Sequence, residues 1–226
     1  MPDKKQHGAT PAGQESNGTG LYPVIIVPGW GSPAFQIDWV SRHLESEGLA
    51  TIKLKVPRLA VGDMRESAVV LAREVERLRQ ENGVGKVNLV GYSLGGLIAR
   101  IYLQELDGCR DLNRAVFVGA PQDGVYIGYL GAFTRSGRQV RRGSPFMREL
   151  NASGPCDCGE RRCLSIYLTR DGTIVPSESA RLSCGYNLRL TWPVLHWGVV
   201  FNSNVIRTAA QFLKGRVPPD AEPGVP

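Results

Sequence analysis

Apolar runs and amphipathic stretches alternate along this chain from residue 24 onward. Val24-Ile25-Ile26-Val27 is continuously apolar, the pattern of a strand covered on both faces. Residues 35–47 read as a helix. Residues 51–56 alternate instead, with Ile52, Leu54 and Val56 set against Lys53 and Lys55. One wet face carrying lysines predicts an edge strand that resists pairing with another chain. Residues 64–81 read as a helix, with Leu71, Val75 and Leu78 at helical spacing and charges elsewhere. Val87-Asn88-Leu89-Val90 predicts a buried strand, and residues 97–103 a helix behind it. Further strands are predicted over 115–119, 164–168 and 187–192, with a closing helix over 199–213. This alternation predicts an α/β fold with a mostly parallel central sheet and helices on both faces.

The two ends do not follow the pattern. Residues 1–20 are polar, rich in Gly, Pro, Gln and Ser, and without an apolar core segment, so they read as a disordered leader rather than a signal peptide. Residues 215–226 carry four prolines and read as a second loose tail. One domain is expected over 21–214. Within it, residues 121–162 hold no clear strand, and a connection of that length in a compact domain reads as a lid-like insert. Its first part, through Tyr126, Tyr129 and Phe133, is apolar and aromatic, suited to covering a pocket. Its second part is basic, suited to water or an anionic lipid surface.

The chain has 226 residues, 42% hydrophobic and 21% charged, with a net charge of +6. The basic excess concentrates in Arg135, Arg138, Arg141, Arg142, Arg148, Arg161 and Arg162. No nucleic-acid-binding motif accompanies it, so nucleic acid is not an expected partner. The five cysteines include Cys156, Cys158 and Cys163 close together. Their spacing, with no nearby histidine, does not match a zinc site. Reduced thiols and a disulfide both remain open; without a signal peptide the expectation is cytoplasmic, where thiols stay reduced.

The chemistry gathers at Gly91-Tyr92-Ser93-Leu94-Gly95-Gly96, between a strand and a helix. Gly-x-Ser-x-Gly in that setting is a nucleophile elbow: a turn so sharp that its neighbours must be small, lifting Ser93 Oγ clear of the sheet. A serine needs a base, and the base an orienting carboxylate. Of the three histidines, His7 lies in the leader and His43 in the first helix; His196, between the last strand and the last helix, is the well-placed base. Asp171, just past a strand end, is the favoured carboxylate, with Asp123 the rival. Oxyanion donors are expected from the backbone N–H groups of Leu94 and of Trp30, in Pro28-Gly29-Trp30-Gly31-Ser32. Tyr92, Tyr126, Tyr129 and Trp197 are the candidate substrate-binding side chains.

Pro28-Gly29-Trp30-Gly31, the elbow, Gly119-Ala120-Pro121, residues 171–176 and His196-Trp197-Gly198 together resemble the α/β-hydrolases, especially the small bacterial lipases and esterases. The likeness covers about residues 23–212. It implies the minimal form of the α/β-hydrolase fold and hydrolysis of carboxylic esters, often lipidic, without metal or cofactor. Two positions depart from the pattern: Pro28 stands where the oxyanion loop usually has histidine, and Gln122 where Gly-x-Pro is often followed by histidine. An acyl-thioesterase or acyltransferase would use the same triad. A non-catalytic binding protein on the same scaffold is the remaining alternative.

Overall fold

The computed structural model describes residues 22–126, 133–154, 158, 161–191 and 196–224. Within them, β1 (Val24–Val27) is followed by α1 (Ala34–Ser46), β2 (Thr51–Lys53), α2 (Met64–Asn82), β3 (Val87–Tyr92), α3 (Leu94–Glu105) and β4 (Leu112–Val118). Two short helices of the insert come next, α4 (Arg135–Gln139) and α5 (Pro145–Ala152). β5 (Cys163–Leu168), β6 (Tyr186–Leu190), α6 (Ser203–Leu213) and β7 (Glu222–Pro223) complete the described elements, with 3-10 turns between. The sheet order is β2-β1-β3-β4-β5-β6-β7, parallel throughout except for β7.

Strand alternation decides which helices cover which face. Ile25, Val27, Leu89 and Phe117 point to the side of α2 and α3, where Leu71, Val75, Leu97 and Ile101 meet them. Val24, Ile26, Val90 and Val116 point to the other side, against Val40 and Leu44 of α1 and Ile206 and Ala210 of α6. β1 and β3 are therefore buried on both faces. β2 is the edge strand that its lysines predict, although it is shorter than predicted because Pro57 opens a 3-10 turn. Lys53 is exposed there and pairs with Asp38 at 2.7 Å.

α2 begins where Asp63 accepts from Arg65 N–H at 2.7 Å and ends at Gly83 in the left-handed region. The closing helix differs from the prediction. A 3-10 turn over His196–Phe201 comes first, and α6 starts afresh at Asn202, whose side chain accepts from Asn204 N–H at 2.9 Å.

The tail also differs. Residues 222–223 form β7, paired with Asn187 and Tyr186 of β6, and Gly224 N–H donates to Gly185 O at 2.8 Å. Ala221 packs against the core of the α1/α6 face. Prolines suggested a loose segment, but an edge strand tolerates proline because its missing donor faces solvent. The leader, residues 1–20, lies outside the described residues.

The insert is built onto the domain. Val125 N–H donates to Val140 O at 3.0 Å and Arg142 N–H to Val125 O at 2.8 Å. Thr134 caps α4 and Ser144 caps α5, and α5 buries Phe146, Met147 and Leu150 in the core. Gln139 Oε1 accepts from Met64 N–H at 3.0 Å, so the insert completes the start of α2. Arg100 of α3, buried, reaches across to Gln122 O at 2.6 Å and Asn151 Oδ1 at 2.9 Å. Burial lowers its pKa only to about 10, so it remains a cation at neutral pH.

Several arginines of the insert make contacts within the chain. Arg135 pairs with Asp63 at 2.6 Å, and Arg142 with Asp123 at 2.7 Å. Arg162 donates to the carbonyls of Cys109, Leu112 and Cys158. Cys109 and Cys158 form a disulfide, and Cys184 is also disulfide-bonded. Of the two states left open, the disulfide is the one the structure shows for these three cysteines. Cys163 is buried in β5, and Cys156 lies outside the described residues.

Candidate active site

Ser93 sits between β3 and α3 at φ 52° and ψ −125°. That conformation is strained for a residue with a Cβ, and the packing around it holds it there. A Cβ on Gly91 would lie 2.6 Å from Gly96 Cα, and one on Gly95 would lie 2.1 Å from Val27 O. Only glycines let the strand, the turn and the helix close on one another. Ser93 N–H donates to Val118 O at 2.9 Å, which ties the turn to β4.

Asp171 and His196 arrive from loops beyond the sheet. Asp171, past the end of β5, is 3% exposed; its Oδ1 accepts from Thr173 N–H at 3.1 Å and Ile174 N–H at 2.9 Å. Its Oδ2 lies 2.8 Å from His196 Nδ1. His196 Nε2 lies 3.0 Å from Ser93 Oγ. A carboxylate accepts only, so Nδ1 carries the proton and Nε2 is left to accept from the serine hydroxyl. The structure thus brings Ser93, His196 and Asp171 into one hydrogen-bonded chain.

The rivals lie elsewhere. Asp123 is engaged by Arg142 and by Asn151 Nδ2, the latter at 3.0 Å. His43 bonds the carbonyl of Trp39 through Nδ1 at 2.8 Å and stacks on the Trp39 ring. His7 lies outside the described residues.

A cleft opens over the serine. Trp30, Leu94 and Tyr92 line it beside Ser93 and His196. Pro121, Val125, Val140, Ile174 and Trp197 give it an apolar wall. Leu94 N–H is the first amide of α3 and has no intrahelical acceptor. The Trp30 loop is fixed by Gly29 N–H donating to Ser32 Oγ at 3.1 Å. Proline at position 28 leaves that backbone bond in place.

The four candidate substrate-binding side chains separate. Trp197 lines the cleft and is 41% exposed. Tyr92 lines it too, but its hydroxyl is committed to His196 O at 3.0 Å. Tyr126 is corrected: it is 66% exposed, lies under Arg142 and does not line the cleft. Tyr129 lies outside the described residues. Of the wall residues, Val125 opens the apolar segment expected to cover a pocket, whereas Val140 was missed; one short bridge across the insert brings the two together, and no local signal reveals it. Gln122 is buried, and among the described residues both its side-chain amide atoms lack a hydrogen-bond partner, while its carbonyl holds Arg100. Among the described residues no cluster of three or more His, Cys, Asp or Glu suits a metal ion.

A family model for the alpha/beta hydrolase fold matches residues 22–126. Among solved structures, Aspergillus fumigatus lipase B matches with a TM-score of 0.77 at 22% identity, over 88% of this chain and 54% of that one. Bacillus licheniformis lipase BlEst2 in its propeptide form gives 0.69 at 16%, over 91% of this chain and 52% of that one. This chain therefore spans only about half the length of either. Pyrococcus furiosus esterase Pf2001 gives 0.58 at 16%, over 87% and 84%. With the sheet order, the elbow between β3 and α3, and lipases and esterases as structural neighbours, this chain has the α/β-hydrolase fold.

Proposed function

We propose that this protein is a serine hydrolase that cleaves carboxylic esters with an apolar acyl group. The observation that carries this reading is the hydrogen-bonded chain from Ser93 Oγ through His196 to Asp171, at the floor of a cleft with an apolar wall. His196 Nε2 takes the hydroxyl proton as Ser93 Oγ attacks the ester carbonyl. Asp171 orients the imidazole and stabilises its cationic form. The backbone N–H groups of Leu94 and Trp30 receive the oxyanion. The alcohol leaves with the proton from His196, and water then attacks the acyl-enzyme along the same route.

Hydrolysis of p-nitrophenyl esters of increasing chain length, with Ser93→Ala as control, tests the proposal. Activity confined to the parent protein is the expected result. Activity that survives in the variant, or none in the parent, overturns it.

A thioesterase or acyltransferase would share these residues, and an arginine-rich insert would suit a polyanionic acyl carrier. Arg135 and Arg142 are ion-paired within the chain, which weakens that case and, equally, contact with an anionic lipid surface. The Cys109–Cys158 disulfide supports an oxidising compartment over the cytoplasm as the working location.

A further inference from the structure

Tyr92 touches both halves of the catalytic machinery without being part of it. Its hydroxyl donates to the backbone carbonyl of His196 at 3.0 Å. Its ring stacks on the imidazole, with centroids 5.3 Å apart and planes at 27°. On another side it meets Gly29 of the oxyanion loop so closely that a Cβ there would lie 3.2 Å from Tyr92 Cδ1 and 2.8 Å from Tyr92 O. One ring therefore contacts the base and abuts the loop of a proposed oxyanion donor, and the next residue in the chain is the nucleophile.

We infer that Tyr92 is a positioning residue, setting the backbone and ring plane of His196 so that Nδ1 meets Asp171 while Nε2 meets Ser93. The inference deepens the proposed ester hydrolysis and rests on it. His196 opens a 3-10 turn, and its imidazole has freedom about both side-chain torsions. The Asp171 bond fixes one ring atom and leaves the ring free to swing about it. A bond to the main-chain carbonyl and a stacked neighbour remove that swing. Both come from the rigid end of β3, so base and nucleophile are registered to the same strand.

One further observation agrees. Tyr92 is 6% exposed, and burial together with the charge of Asp171 pushes its phenol pKa well up, so it stays a neutral donor across the range in which such an enzyme works.

The test is Tyr92→Phe, which keeps the ring and deletes the hydroxyl, read in three ways. Losing one aligned hydrogen bond to the base is expected to lower kcat about tenfold with KM nearly unchanged. The low-field proton signal of His196 Nδ1–H is expected to broaden or shift. The thermal midpoint is expected to fall by no more than a few degrees. Parental kcat with an unmoved proton signal overturns the inference. So does a large fall in midpoint with the signal unmoved, which would mark Tyr92 as packing only. Tyr92→Leu removes the stack as well and should lower kcat further; equality with Tyr92→Phe overturns the part assigned to the ring. A parent protein that hydrolyses no ester would sink the proposed function, whereas the proton signal would still report whether Tyr92 orders the imidazole.

Discussion

A side-chain carbon on Gly95 would lie 2.1 Å from the main-chain oxygen of Val27, so α3 begins in contact with the end of β1. No rotamer relieves that clash, because the backbone fixes the place of Cβ and the oxygen it meets is itself backbone. Gly95→Ala should therefore exceed the usual cost of overpacking, at about 3 kcal/mol or more, and abolish activity by moving Ser93. Thermal unfolding and fluorophosphonate labelling check this. An alanine variant with the parent's midpoint and labelling rate would contradict the close approach.

Ser93, His196 and Asp171 should behave as one unit. Ser93→Ala and His196→Ala should each reduce kcat by on the order of 10⁴-fold or more, and the double variant should be little worse than either single one. Independent, multiplying losses would show that the three do not act together.

The apolar wall should select the acyl group. Val140 is 5% exposed and lines the same cleft as Ser93. Val140→Phe should lower the rate on eight-carbon esters relative to acetate by about tenfold, because a few displaced methylenes carry that much discrimination. An unchanged chain-length profile would mean the acyl chain lies elsewhere.

The Cys109–Cys158 bridge joins residues 49 positions apart, and closing a loop of that length restricts the unfolded chain by about 4 kcal/mol. Replacing both cysteines by serine should lower the thermal midpoint by about 10 °C in a domain of this size. A midpoint within one or two degrees of the parent would mean that Arg162, bonded to both carbonyls, holds the junction unaided.

The buried strands were legible because being covered on both faces leaves a continuous apolar run, as in Val24-Ile25-Ile26-Val27. The gathering of Ser93, Asp171 and His196 was legible because each sits where a strand gives way to a loop at one end of a parallel sheet. The break at Asn202 carried a signal, a helix-capping residue inside an apolar stretch, that the apolar periodicity overrode. The commitment of the Tyr92 hydroxyl was not legible, because its acceptor is 104 residues away. The same holds for the partner of Cys109 and for the pairing of residues 222–223 with β6. Each depends on which segments the finished sheet brings together.

The Gln139 cap on Met64 has a kinetic consequence. With Arg135 on Asp63 and Arg100 on Asn151, it bolts the described helices of the insert to α2 and α3. Held in this way, the described helices should act as a wall rather than a door. Dispersed substrate should then be turned over along a simple saturation curve, with no jump in rate as the ester passes its solubility limit and forms droplets. Rate measured across that limit decides the matter, and an abrupt rise at the onset of turbidity would show that the wall swings.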